Sequence, residues 1–263
     1  MEGGYLVGRY ALGLLDWQGN MWDFTADWAA GIKSGGIDGL TGSLSDVAVT
    51  PLGVGGQVVV SQEPAPIQGS LTFHCRGDGE RDAGQVYADL RRAFSPLRGR
   101  TNTLRVASPL GEADLRVRRG GAMSDPVEDP SWADMVLSVQ VPVVGDEGVW
   151  WLPPVVMFGE AQVVNSGDVP LFVTVGWSGA GGQVTMPSGA TFTLPPTPQT
   201  RYLHLSRRRS LSVTDGGGVR DDVLWRQLRG VAPEVVPVGA QRTFRVPEGA
   251  WVEYRLGVLD PWQ

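Results

Sequence analysis

Val86, Leu90, Ala93 and Phe94 recur at three- and four-residue spacing, an apolar stripe along one side of a helix over DAGQVYADLRRAF, residues 82–94. Asp82 is a good N-cap, and Gln85 three residues on completes a capping box. Arg91 and Arg92 sit at the negative end of the helix dipole. Ser95-Pro96 ends the helix, because proline disfavours the helical region for the residue before it. A helix this short is marginal alone. Its stripe therefore needs a flat apolar surface to rest on.

The rest of the chain supplies that surface, because most of it alternates with the period of two that strands require. In the first 40 residues Tyr5, Tyr10, Trp17, Trp22, Phe24 and Trp28 stand among glycines, with short strands expected around Tyr5–Tyr10 and Met21–Thr25 and a turn over Asp16–Asn20 between them. These aromatics read mainly as core or subunit packing. Val47 and Val49 alternate with Ala48 and Thr50, a glycine-rich loop PLGVGG follows, and Gln57–Ser61 resumes the strand. Leu71, Phe73 and Cys75 alternate with Thr72 and His74, a half-buried strand leading into the helix. Thr103–Ala107 and Ala113–Arg119 make a hairpin around Ser108–Gly111. Ala133–Val143 reads as a long strand with Met135, Leu137, Val139 and Val141 on one face. The stretch VGDEGVWWLPP, 144–154, combines glycine, charge and a Pro-Pro stop and marks a domain boundary, giving domains 1–150 and 151–263.

Beyond the boundary about nine short strands follow, separated by turn residues such as Asn165–Asp168, Pro187–Gly189, Asp215–Gly218 and Pro247–Gly249. That spacing predicts an antiparallel sandwich. Val223–Leu228 reads either as one helical turn or as a loop whose Trp225 and Leu228 plug the core. The 37 glycines and 19 prolines fit many turns between short strands, so the fold class is mainly β.

Charge and cysteine usage narrow the function classes. The formal charge of −6 argues against a dedicated nucleic-acid binder, though not against a protein that DNA merely passes. One cysteine, Cys75, allows no intrachain disulfide and fits maturation in a reducing compartment. The opening residues lack the basic start and unbroken apolar run of a signal peptide, and no stretch is apolar and long enough to span a bilayer.

Searches for chemistry return little. His74 and His204 each sit in a strand pattern without metal-ligand spacing, and no cofactor or metal is expected. GVGG fits neither the dinucleotide fingerprint nor the P-loop. Gly176-Trp177-Ser178-Gly179-Ala180 departs from the nucleophile elbow at its fifth position. Asp215, Asp221 and Asp222 lack the spacing and terminal glutamate of a calcium loop and read as turn caps. Arg207-Arg208-Arg209 reads as a solvated strand edge or as a patch for an acidic partner. No nucleophile with its base can be named, so no catalytic residue and no enzyme activity are expected.

Val163-Val164-Asn165-Ser166-Gly167-Asp168-Val169-Pro170 resembles the N-x-G-x-x-P opening of the second domain in the distal tail proteins of long, flexible-tailed bacteriophages. Arg242–Val246 and Ala250–Leu256 resemble that domain's closing strands, and the layout of a β-rich half with one helix, a linker and a sandwich matches as well. The resemblance implies an N-terminal β-sandwich or split-barrel domain with the helix and a galectin-like C-terminal sandwich. It further implies a homohexameric ring at the tip of a virion tail, made in the host bacterial cytoplasm, with N-terminal domains closing the ring. Its partners would be other copies of itself, the tail tube protein, the tail hub and receptor-binding proteins, with genomic DNA passing through the channel without specific binding. The glycine-rich excursion suits strand sharing between subunits, and Val47, Val49, Leu52, Val54, Val58 and Val60 are its candidate interface residues. The alternative reading is a carbohydrate-binding module contacting host glycans through Trp177, Trp225 and Trp251.

Overall fold

The computed structural model describes residues 10–27, 29–53, 55–109, 111–126, 129–130, 132, 134–206 and 211–262. Tyr5, Trp28 and the arginines at 207–209 lie outside the described residues. Contacts divide the chain into two units, Met1–Leu152 with Val258–Gln263, and Pro153–Gly257. The last six residues thus return to the first unit instead of ending the second: the Gly42 N–H donates to the Leu259 carbonyl at 2.7 Å and Trp262 packs on the first core.

The first unit is built on strands β1 (Ala11–Leu15), β2 (Met21–Asp23), β3 (Ala30–Asp38), β4 (Ser43–Val49), β5 (Val58–Ala65), β6 (Ile67–Arg76), β7 (Asn102–Ser108), β8 (Gly111–Arg119), β9 (Met135–Gly145) and β10 (Trp150–Trp151), with helix α1 (Ala83–Ala93) between β6 and β7. Seven strands run in the order β2-β1-β7-β8-β9-β6-β3, with β10 paired to β8, while among the described residues β4 and β5 pair only with each other. The capping box forms as expected: the Asp82 carboxylate accepts from the Gln85 N–H at 2.7 Å, and the Gln85 side chain accepts from the Asp82 N–H at 3.0 Å. Val86, Leu90, Ala93 and Phe94 are buried, joined by Ala83 and Tyr87. They meet Leu71, Phe73 and Cys75 of β6 in one core, with the Phe73 and Phe94 rings 6.1 Å apart. Burial pushes the Cys75 thiol up to about 12.

Two features of this unit depart from the sequence reading. The strand expected around Tyr5–Tyr10 lies outside the described residues but for Tyr10, and the first described strand is Ala11–Leu15, directly before the Asp16–Asn20 turn. Ala30–Asp38 is a strand that alternation did not reveal, because Lys33–Gly36 loop out between the pairs Ile32–Phe73 and Ile37–Leu71. In β9 the face slips. Val136, Val139 and Val141 are buried while Met135 and Leu137 are exposed. The register moves from Phe73–Val139 to Cys75–Val136, and Ser138 sits at φ 56°, so one extra residue in β9 turns the two preceding side chains outward.

Asp16 organises the first turn. Its carboxylate accepts from the Gln18 and Asn20 N–H groups, both at 2.9 Å, from the Asn20 side chain at 3.0 Å and from the Trp22 indole at 3.2 Å. Asn102 ties the turn to the helix, accepting from the Trp17 N–H at 3.0 Å and donating to the Ala93 carbonyl at 3.1 Å. The Trp17 indole donates to the Arg92 carbonyl at 3.1 Å. The last turn of α1 therefore finds partners for carbonyls that a helix end leaves bare.

The second unit packs two sheets face to face. One has the order β11 (Val155–Phe158), β19 (Ala250–Tyr254), β13 (Thr174–Gly179), β16 (Thr197–His204), β17 (Val213–Thr214); the other, β12 (Glu160–Val164), β18 (Gln241–Arg245), β14 (Gly182–Thr185), β15 (Thr191–Leu194). All described pairings are antiparallel, so the fold is a mainly-β sandwich as expected. Helix α2 (Asp222–Leu228) resolves the open reading of that segment toward helix, with Leu228 in the core. Asn165 is fully buried and its amide donates to the Val169 and Val236 carbonyls, both at 2.9 Å, while its oxygen accepts from the Gly167 N–H at 3.1 Å. A Cβ on Gly167 would meet the Gly257 carbonyl at 2.5 Å. The asparagine and glycine of the N-x-G-x-x-P phrase thus have structural work in this chain.

Leu90→Ala should destabilise the first unit by about 2–5 kcal/mol, since it opens a cavity at the centre of the helix–sheet contact; a thermal melt unchanged from the parent would refute that placement. Asn165→Ala removes the donor to the buried Val169 carbonyl and leaves the Val236 carbonyl only its bond from the Leu171 N–H, and should cost the second unit about 1–3 kcal/mol in a denaturant titration.

Candidate subunit interface

The excursion between β3 and β6 is a free-standing hairpin. β4 and β5 run in register from Ser43–Ala65 to Val49–Val58, with a bulge at Val60 where the pairing passes from Val47–Ser61 to Ala48–Val59. Among the described residues neither strand pairs with a third. Val47, Val49, Val58 and Val60 are 44–64% exposed and Leu52 at the tip is fully exposed, while Val54 lies outside the described residues. The register adds Leu44 and Val59 to this set, both also exposed. β-branched residues suit the extended backbone, but in water an isolated two-stranded ribbon with apolar side chains on both faces is marginal. A contiguous group of exposed apolar side chains marks an interaction surface.

A second apolar exposure lies at the far end of β6. Lys33, His74, Arg76, Met135, Leu137 and Ser138 line an open hollow of about 350 Å³. The β9 bulge turns Met135 and Leu137 into it, and the Lys33 ammonium donates to the Ser138 hydroxyl at 3.3 Å. Burial and then the Arg76 charge hold the His74 imidazole below its usual pKa. Placing Met135 and Leu137 on one face with Val139 and Val141 hid this site from the sequence.

The three tryptophans of the sugar-binding reading do not form one platform. Trp177 is fully buried and its indole donates to the Pro195 carbonyl at 2.9 Å, so it has no face to offer a sugar ring. Trp251 lies on the opposite side of the same sheet, over Gly176, where a Cβ would come within 2.2 Å of the indole. Tyr202 meets the Trp251 ring edge-on at 6.0 Å. Trp225 is half-buried on α2 beneath the Arg220 guanidinium, 4.5 Å from its ring.

The carboxylates and histidines considered for chemistry have structural partners. Asp215 accepts from the Gly217 and Val219 N–H groups within its turn. Asp221 is the N-cap of α2, accepting from the Leu224 N–H at 3.0 Å and from Arg201 at 3.0 Å. His204 bridges Thr174 and Thr214 through its two ring nitrogens. Gly176–Gly179 belongs to strand β13 and not to a strand-to-helix elbow. Among the described residues no group of three or more His, Cys, Asp or Glu is placed to hold a metal ion, and no helix is long and apolar enough to cross a membrane.

Comparison with solved structures identifies the fold. The Dit protein of phage SPP1, described as a paradigm of hub adsorption apparatus in Gram-positive infecting phages, aligns with a TM-score of 0.63 at 12% identity, covering 94% of this chain and 99% of that one. A chain of the phage P2 baseplate in its activated conformation with Ca aligns at 0.54 and 9% identity, covering 97% and 100%. The same baseplate with Sr gives 0.53 and 9%, covering 94% and 98%. No protein-family model and no curated protein matches the sequence. The chain therefore shares the fold of the SPP1 Dit protein over nearly its whole length, at 12% sequence identity.

Among the carboxylates held below their usual pKa, Asp16 and Asp221 illustrate an acid limit in each unit. Burial alone raises the Asp16 pKa, but hydrogen bonds from Asn20, Trp22 and Gln18 outweigh it and hold the group below the usual carboxylate value. The Leu224 N–H and then Arg201 do the same for Asp221. A depressed folded-state pKa contributes stability that is present above the unfolded value, about 4, and is lost as pH falls through the folded one. Stability should thus drop below about pH 4, and Asp16→Asn should flatten that part of a pH–melting profile for the first unit; an unchanged slope would contradict the assignment.

Proposed function

We propose that this protein is a structural component of a bacteriophage tail tip, in which several copies, six by the resemblance, close a ring through their first units. The ring would join the tail tube to the tail hub and receptor-binding apparatus and leave a central passage for DNA. The observation that carries this reading is the Ser43–Ala65 hairpin, an unpartnered ribbon whose apolar side chains stand in water in the single chain. The fold shared with Dit and baseplate chains supports it, and so does the structural employment of the carboxylates and histidines considered for chemistry. A ring of identical subunits needs a head-to-tail contact, so a donor surface and a different acceptor surface on each copy. The hairpin suits the donor role because no described strand pairs with either of its edges, so both can offer main-chain groups. The second unit, a sandwich, would face outward to other tail proteins.

The reading makes a prediction that separates assembly from folding. Val49 and Val58 face each other across the hairpin and are half exposed, so Val49→Lys with Val58→Lys should change the melting temperature little. The same pair should prevent ring closure. Mass photometry of the parent protein and of purified tails should find a ring of about six copies, and the variant should remain monomeric; a parent that stays monomeric in both settings would overturn the proposal.

A further inference from the structure

The hairpin and the hollow are built on the same strand but at opposite ends of it. The hairpin joins β6 at Ile67, and the hollow lies at His74–Arg76. At about 3.3 Å per residue the two are roughly 25–30 Å apart. The exposure of the hairpin side chains shows that they do not fill the hollow of their own chain. The two surfaces are complementary in chemistry. Residues 43–65 contain Asp46 and Glu63 and no lysine or arginine. The hollow is lined by Lys33 and Arg76 beside Met135 and Leu137, with no carboxylate among its lining residues.

The register distributes the hairpin charges evenly. Asp46 pairs with Gln62 and shares a face with Leu44 and Val59. Glu63 pairs with Ser45 and shares the other face with Val47, Val49 and Val58. Each face therefore presents one carboxylate next to aliphatic side chains, the inverse of a hollow that presents cations next to aliphatic side chains. Opposite charges at a contact fix its register and discourage wrong partners, while the apolar groups supply most of the affinity.

We propose that the acceptor surface for the hairpin is the hollow lined by Lys33, Arg76, Met135 and Leu137 on the next copy of this chain, with Asp46 or Glu63 turned toward its cations. This rests on the ring reading above and specifies where its head-to-tail contact lies. It also gives the β9 bulge a purpose: the extra residue that turns Met135 and Leu137 out of the core builds the apolar floor of the acceptor.

Charge reversal tests the pairing. Three variants are compared with the parent by mass photometry and thermal melting: Asp46→Lys with Glu63→Lys, Lys33→Glu with Arg76→Glu, and all four changes together. The proposal expects each double variant to keep the parent melting temperature within a few degrees and to weaken assembly at least tenfold, and the fourfold variant to recover most of it. If the parent assembles and both double variants assemble equally well, the hollow is not the acceptor and the ring reading stands without it. The same conclusion follows if the fourfold variant assembles no better than the doubles. A parent that never assembles, alone or on tails, removes the ring reading and this contact with it. Should a double variant unfold, Leu137→Asp serves in its place, since that side chain is 63% exposed and the change adds a negative charge to the acceptor without burying it; unweakened assembly of folded Leu137→Asp would overturn the proposal.

Discussion

The packing of α1 on β6 is the contact on which the first unit depends. Leu71, Phe73 and Cys75 project from one face of the strand, none of them exposed, and Val86, Leu90 and Phe94 close over them. Burial of six such side chains contributes on the order of 10 kcal/mol before the cost of ordering the chain is counted. The helix is too short to persist alone, and the strand would otherwise show apolar side chains to water. Each therefore exists in its observed form because of the other. The polar closure at the helix end, through Asn102, Trp17 and the Asp16 turn, carries the same dependence out to β1 and β7.

A strand held this firmly in the middle can carry unsatisfied features at its ends. One end leads into a ribbon that pairs with no third strand among the described residues, the other runs past a bulge that exposes Met135 and Leu137. Both features put apolar side chains in water in the single chain, and the proposed ring would cover them. Among its described residues the second unit has no comparable ribbon. Its effort goes into a buried polar network around Asn165 and into a core centred on Trp177.

The tryptophans illustrate how composition misleads without geometry. Ten tryptophans invite a search for stacking platforms. Three of them serve other tasks: Trp150 donates to the Leu40 carbonyl from a fully buried position, Trp17 caps a helix, and Trp177 fills the sandwich core. An indole is large, apolar and carries one donor, so it serves a buried site with a single available carbonyl. None of that can be told from spacing alone.

What the sequence determined by itself was local. The capping box, the apolar stripe and the Ser-Pro stop specify α1, and turn residues with period-two alternation specify most strands of both units, because these signals act between residues a few positions apart. The glycine-rich excursion between β-branched flanks was legible as a hairpin for the same local reason, whereas the exposure of its valines came only with the structure. The tertiary structure alone decided which face of β9 looks inward, since a single residue inserted opposite His74 reverses the alternation, and that depends on the register with β6 more than 60 positions away. It alone decided that Trp177 and Trp251 lie on opposite sides of one sheet, and that Lys33, Arg76, Met135 and Leu137, drawn from three strands, meet in one hollow. Those are properties of long-range pairing, and no local pattern encodes them.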